Sequence, residues 1–507
     1  MEQLMEKAKK IIPGWLGTRA TQLYIFAMLV IFPFFFTEKM FNLHLDKRDF
    51  FLFFSIAYIC TIFPMVLVAL YDWGNNMYAP NKPDIIFALI LLSAFIISTI
   101  FALNTKKSFF EMSSRTVSGL CFLFCILTFF AIRQYGKADK FLMWSWIAGS
   151  SALYLFGILC ACGINVMYIQ DGLDSTQLPI YLTPLSNTNY NTCYVCLMLP
   201  PIMVLYMLCK EQLSRILCGI CLYLGFMFTL FIKTESSILA ILLGIILLGY
   251  FALESDSWFI HYIHIVGIYL GAKLTVHILL NLFPSKLYPF HGLTLRFLRN
   301  RLLIFELLCY TLFFFLYTWK QEDVREKILS SRKYLVITGV SLACFGIVCI
   351  IYANLNVANL PKRSFWHNLV ITDSTFSGRG YIWRRTISVL KEETIGRKLF
   401  GNGMNSFRTL MRLTRTLPAG NTFADPHNEF LQMATDMGMV GLIGYFGLLL
   451  SSLIKGFRSW QKQPYQIIIV LTLSVYMTQS LANEYSIFTL PLLFIFLGLA
   501  NKQLSTT

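Results

Sequence analysis

The feature that most constrains this chain is a series of apolar runs, each about as long as a lipid bilayer is thick. They fall at roughly 21–36, 50–71, 84–103, 116–135, 142–165, 190–209, 215–232, 237–254, 258–280, 301–318, 335–354, 437–457, 466–483 and 485–500. A helix crosses the hydrocarbon core with about 20 residues, so 14 such runs take up about 280 positions, a little over half of the chain. Charged residues make up only 13% of the 507, against about 25% in soluble proteins. Disorder, a secreted disulfide scaffold and an ordinary cytosolic enzyme are excluded. The expected fold is an all-α polytopic membrane protein of 12 to 14 transmembrane helices. The range reflects closely spaced runs, such as the pair flanking Lys233.

The chain divides into a cytoplasmic N-terminal segment (1–20), a transmembrane bundle (21–354), one long polar loop (355–436) and C-terminal transmembrane helices (437–507). Lys7, Lys9, Lys10 and Arg19 precede the first run with no small-residue cleavage site after it, so the first helix is expected to be retained. Short loops holding Arg133, Lys137, Lys140, Lys210, Arg332, Lys333, Lys455 and Arg458 put the N-terminus in the cytoplasm, although Lys47, Arg48, Lys106 and Lys107 on the other side weaken the asymmetry. The long loop is then extracytoplasmic. The net charge of +16 suits loops facing anionic lipid, and part of it an anionic lipid-linked substrate. No continuous basic stripe with interleaved aromatics suggests nucleic acid. The 13 cysteines lie mostly in apolar runs and read as small buried hydrophobes. The pairs Cys193/Cys196 and Cys218/Cys221 lack the further partners of a zinc site. No metal site or cofactor is expected.

Eleven basic residues crowd the long loop, and a connection of that length is usually functional. Ser377 is suited to cap a helix over 378–393, with Ile382, Ile387 and Leu390 at helical spacing. Arg379 and Trp383 share a face. That pattern fits a surface helix with a cation–π pair, and equally an arginine at a helix N-terminus aimed at phosphate. Gly401-Asn402-Gly403 forms a turn that would let backbone approach a ligand. In Asp425-Pro426-His427-Asn428-Glu429, Asp425 can cap a helix and place His427 in its first turn. The helix dipole there favours the neutral ring that a general base needs, while Asp425 or Glu429 pulls the other way. Gly438, Gly441 and Gly444 follow at three-residue steps suited to close helix packing. The other histidines read as structural.

The series Ser377-Gly378-Arg379…Trp383…Gly401-x-Gly403…Phe407…His427-Asn428…Phe430-Leu431…Gly438…Gly441 resembles the signature of the O-antigen ligase and Wzy-type polysaccharide polymerase superfamily. The resemblance covers about 75 residues directly. It implies an all-helical glycosyltransferase of the lipid-donor type in a bacterial inner membrane. The donor would be an undecaprenyl-diphosphate-linked glycan. The acceptor glycan would be a lipid-linked repeat, for a polymerase, or lipid A-core, for a ligase. Nothing in the chain points to a lipid A site, so the reading leans to the polymerase. His427 would activate the acceptor hydroxyl, with Arg379 on the diphosphate. A family arginine in a Thr-x-Ser-Arg pattern meets Ser237 here, in Lys233-Thr234-Glu235-Ser236-Ser237, and leaves Lys233 as the replacement. Arg384, Arg408, Trp383 and Asn428 complete the expected substrate contacts. Membrane lipid is the remaining partner, and nucleic acid is not one. The competing class is a lipid-linked oligosaccharide flippase, which needs many helices and cations but also the two related halves common in transporters.

Overall fold

The structure, a computed structural model, describes residues 2–40, 42–71, 82–113, 115–284, 287–288, 290, 292–319, 322–357, 360–361, 364, 366, 369–373, 375–414, 423 and 425–502. Lys362, Arg363, Arg415, His291, His367 and the side chain of Ser377 lie outside the described residues.

Apolar periodicity produces helices throughout. They are α1 (Glu2–Phe26), α2 (Leu43–Tyr71), α3 (Pro83–Ile100), α4 (Thr105–Phe110), α5 (Gly119–Tyr135), α6 (Lys140–Ala161), α7 (Thr188–Leu208), α8 (Gln212–Ile232), α9 (Glu235–Ala252) and α10 (Asp256–Leu282). There follow α11 (Gly292–Phe297), α12 (Asn300–Trp319), α13 (Glu322–Ser330), α14 (Arg332–Leu355), α15 (Thr375–Glu392), α16 (Ile395–Phe400), α17 (Phe407–Leu413), α18 (Glu429–Ser459), α19 (Ile467–Ser480) and α20 (Leu490–Ala500). Among the described residues, 11 helices are long and apolar enough to cross a membrane. The shorter α5, α19 and α20 account for the remaining apolar runs. The chain is an all-α, multi-pass membrane protein.

The bundle is organised around its latest helices. Helix α18 packs most extensively on α3, α19 on α7, and α20 on α5. Close approach needs missing side chains: a Cβ on Gly444 would meet the Leu91 backbone at 2.7 Å, the role small residues play between membrane helices. Gly438 does something different. It stands at φ +67 and kinks α18 in its N-terminal third. The kink exposes the carbonyls of Thr435 and Asp436, which Asn402 and Gly403 satisfy by donating their N–H groups at 3.0 and 2.9 Å. Gly401 (φ +77) is pressed against the same segment, where a Cβ would lie 2.4 Å from the Asp436 carbonyl. The glycine turn expected to approach a ligand is therefore a clasp on the kinked helix.

Two of the basic residues that blur the charge asymmetry, Lys47 and Arg48, have structural partners. Lys47 is fully buried and donates to the carbonyls of Phe32, Pro33 and Phe35 at 2.6, 3.1 and 2.7 Å. These carbonyls lie where α1 unwinds through a π turn and a 3-10 turn. Arg48 pairs with Asp49 at 2.7 Å.

Candidate functional site

The site is built from the Asp425–His427 turn, the loops that carry Arg115 and Glu484, and the starts of α7, α15 and α18. Helix α18 starts later than the sequence pattern suggests. Asn428 is its cap, accepting from the Leu431 N–H at 2.9 Å, so His427 precedes the helix instead of lying in its first turn. Asp425 does not cap it. Its side chain accepts the His427 N–H at 2.8 Å, an Asx-type turn, and is fully buried. His427 consequently takes a left-handed φ of +47. That conformation costs a non-glycine residue about 1–3 kcal/mol and tends to be kept at functional positions.

The imidazole is held from both sides. Nδ1 lies 3.0 Å from Glu484 Oε2 and 3.2 Å from Asp425 Oδ1. Nε2 lies 3.2 Å from Arg115 Nη1, which is 3.8 Å from Asp425 Oδ2. Both carboxylates are 0% exposed and the histidine 13%. A guanidinium can only donate, so Nε2 must be the acceptor and the proton sits on Nδ1, toward Glu484. Burial alone would pull the His427 pKa down, but the Glu484 hydrogen bond and the two negative charges outweigh it and raise it above its usual 6.5. Burial likewise opposes ionisation of Glu484, yet its bond to His427 leaves its pKa lowered. Asp425, buried beside Glu484, is pushed up to about 7. The result is a histidine made more basic by the carboxylates behind it.

Arg379 joins this cluster. Gly378 (φ +89) interrupts helical geometry two residues before Gly380, so Arg379 directly follows the break near the start of α15. The helix itself opens at Thr375, so Ser377 is not its cap. Arg379 Nη2 is 3.4 Å from Asn189 Oδ1 on α7. Its partial burial lowers its pKa, against the pull of Glu484 and Asp425. Trp383 donates from Nε1 to the Pro426 carbonyl at 3.0 Å and so ties the loop helix to the His427 turn. Underneath, Ile382, Val389, Phe407, Leu410 and Met411 form a small separate core, while the expected core residue Ile387 is exposed.

Other expected contacts fall elsewhere. Lys233 donates to the Tyr288 carbonyl at 2.9 Å and lies 4.6 Å from the Phe290 ring centre, and burial lowers its pKa to about 8. Arg384 is exposed and paired with Asp373. Arg408 is exposed on α17. Asn428 donates to the Leu481 carbonyl at 2.9 Å while capping α18, a structural position. The second guanidinium beside His427 comes from Arg115, between α4 and α5, and not from Lys233. Arg115 and Glu484 lie outside the motifs that single out Arg379 and His427. Glu484 did carry a signal, as a lone acid between two apolar runs at the end of the chain.

Asp425, His427 and Glu484 offer one ligand atom each, all within 4.8 Å of one another, a grouping that could hold a metal ion. This grouping leaves no trace in the sequence, because Glu484 is 57 residues from His427. The Arg115 and Arg379 guanidiniums already supply positive charge to the two carboxylates, so the cluster is electrostatically balanced by the chain's own groups. The cysteines are all free, and Cys193 Sγ lies 3.1 Å from Gln479 Oε1.

Fold and site together define a multi-pass helical membrane protein with a carboxylate-held histidine and two guanidiniums at one end of its bundle. Residues 285–446 match the family model described as O-antigen ligase, consistent with the O-antigen ligase and Wzy-type superfamily. The match supports a membrane glycan-transferring function in polysaccharide biosynthesis. It contains Arg379, Asp425 and His427 and leaves out Arg115, Lys233 and Glu484. No curated protein matches the chain.

Proposed function

We propose that the protein transfers a glycan from an undecaprenyl-diphosphate carrier to an acceptor glycan hydroxyl on the outer side of a bacterial inner membrane, with the N-terminus cytoplasmic. Arg115 gives up its bond to His427 Nε2 as it turns to the diphosphate, and the freed Nε2 lone pair takes the acceptor proton. The freed oxygen attacks the anomeric carbon of the donor, and the bond from that carbon to the diphosphate oxygen breaks. The lipid diphosphate leaves with the electron pair. Glu484 and Asp425 steady the imidazolium until the proton passes on. Arg379 and Arg115 meet the charge growing on the diphosphate.

The observation that carries this reading is the opposed hydrogen bonding of His427. Nδ1 faces buried Glu484 at 3.0 Å, and Nε2 accepts from the cationic Arg115 at 3.2 Å. This arrangement directs the basic lone pair toward the positive end of the site. The test is reconstitution of the full chain with an undecaprenyl-diphosphate-linked repeat and either a second lipid-linked repeat or lipid A-core. Chain extension identifies a polymerase and capped lipid A-core a ligase. Movement of donor across the bilayer with no new glycosidic bond would refute transfer and favour a flippase.

A further inference from the structure

The end of the bundle opposite His427 holds a second charged feature that glycan transfer does not use. The C-terminal half of α18, the start of α3, the end of α5 and the residues around α19 and α20 enclose a cavity of about 1310 Å³. Lys82, Arg133, Lys455, Arg458, Lys462 and Lys502 line it, and among the described lining residues there is no acid. The nearest acids are engaged. Asp84 is paired with Arg133, and Asp139 accepts from Gln22 at 2.6 Å and from the Leu142 N–H at 3.1 Å. Arg133 is only 5% exposed, yet its Nη2 has no hydrogen-bond partner among the described residues. A buried, unsatisfied guanidinium nitrogen at an acid-free cavity asks for an acceptor. Other walls are apolar: Phe87, Leu450 and Ile454 face the same space.

From this geometry we propose that the cavity binds a phosphate-bearing anion, specifically the headgroup of an anionic phospholipid whose chains lie along Phe87, Leu450 and Ile454. Six cations line the cavity, and no acid among the described lining residues offsets them. The unpartnered Arg133 nitrogen supplies a fixed donor at the cavity, and guanidinium geometry suits phosphate. The apolar wall favours a lipid over a soluble ion. Because α18 spans both ends, the headgroup grips the helix that begins just after His427.

The test uses full-length protein in neutral detergent, titrated with phosphatidylglycerol or with inorganic phosphate while the thermal midpoint is followed. The triple variant Arg458→Gln/Lys462→Gln/Lys502→Gln removes exposed or half-buried charges without touching the buried Arg133–Asp84 pair. Lys140→Gln/Lys210→Gln/Lys327→Gln removes three exposed charges outside the cavity as a control. At roughly fivefold per cation, phosphatidylglycerol should bind the cavity triple about a hundredfold more weakly, with the control unchanged. Equal stabilisation by inorganic phosphate alone, lost in the cavity triple, would support the phosphate site and assign it to a soluble anion. Undiminished binding by the cavity triple, or an equal loss in the control, would overturn the proposal. A photo-crosslinkable phosphatidylglycerol gives a readout independent of stability: label in residues 447–466 supports the site, and label confined to other segments refutes it.

Discussion

The two ends of α18 show how one helix serves two electrostatic tasks. At the Glu429 end, cations and anions are interleaved: Arg115 and Arg379 face Asp425 and Glu484, with His427 between them. At the Ser459 end, cations converge on a cavity whose described lining has no acid. Interleaved charge tunes a proton-accepting group, because each carboxylate acts on the imidazole within hydrogen-bond distance. One-signed charge only attracts, which serves retention of an anion. The kink at Gly438 belongs to the first end and the packing of Gly444 on Leu91 lies between them. The α18 backbone is distorted toward the His427 end and regular toward Ser459.

The comparison breaks if the interleaved end proves dispensable. The largest expected effect is from His427→Ala, which should lower glycan transfer by about 10² to 10⁴-fold with unchanged protein level in the membrane. Retention of long-chain product in that variant would remove the histidine from the chemistry. Next comes Arg115→Ala, with a loss of about 10²-fold, only partly restored by Arg115→Lys because an ammonium lacks the forked donors. Full rescue by lysine would reduce Arg115 to a source of charge.

Glu484→Gln sharpens the comparison through pH. A base works when unprotonated, so activity should rise with pH through the raised His427 pKa, with its acid-side midpoint above 6.5 in the wild type. Removing the Glu484 charge lets burial dominate, and the midpoint should move to lower pH with a smaller maximal rate. A profile that does not shift would uncouple the two residues. Lys233→Met should change transfer by no more than about twofold, since its ammonium is engaged by the Tyr288 carbonyl and the Phe290 ring. A loss as deep as that of Arg115→Ala would put Lys233 on the donor after all. The smallest effect expected is from a chelator: transfer should persist, because guanidiniums balance the carboxylates. Abolition by chelator, with restoration by a divalent cation, would assign the Asp425–His427–Glu484 grouping to a metal.

Much of the frame is legible in the sequence. Every apolar run became a helix, since about 20 apolar residues in sequence are a local property that no distant contact must complete. Arg379 and His427 were also legible, because the motifs around them are contiguous. Their surroundings were not. Asp425 looks like a cap in sequence, but Asn428 wins that position and frees Asp425 to bond the His427 backbone. The Gly401-x-Gly403 turn looks like a ligand cradle until the Gly438 kink gives its N–H groups a closer use.

What the chain determined by itself was hydropathy and short-range order: the helices, the long polar loop and the residues in its motifs. Which charges meet was settled by packing alone. Arg115 is 312 residues from His427 and Glu484 is 57, and neither separation leaves a periodic trace. Helix packing brings those loops to one end of the bundle. Electrostatic coupling acts over a few ångströms in space and is indifferent to distance along the chain, so the partners of a recognisable histidine emerge only after folding.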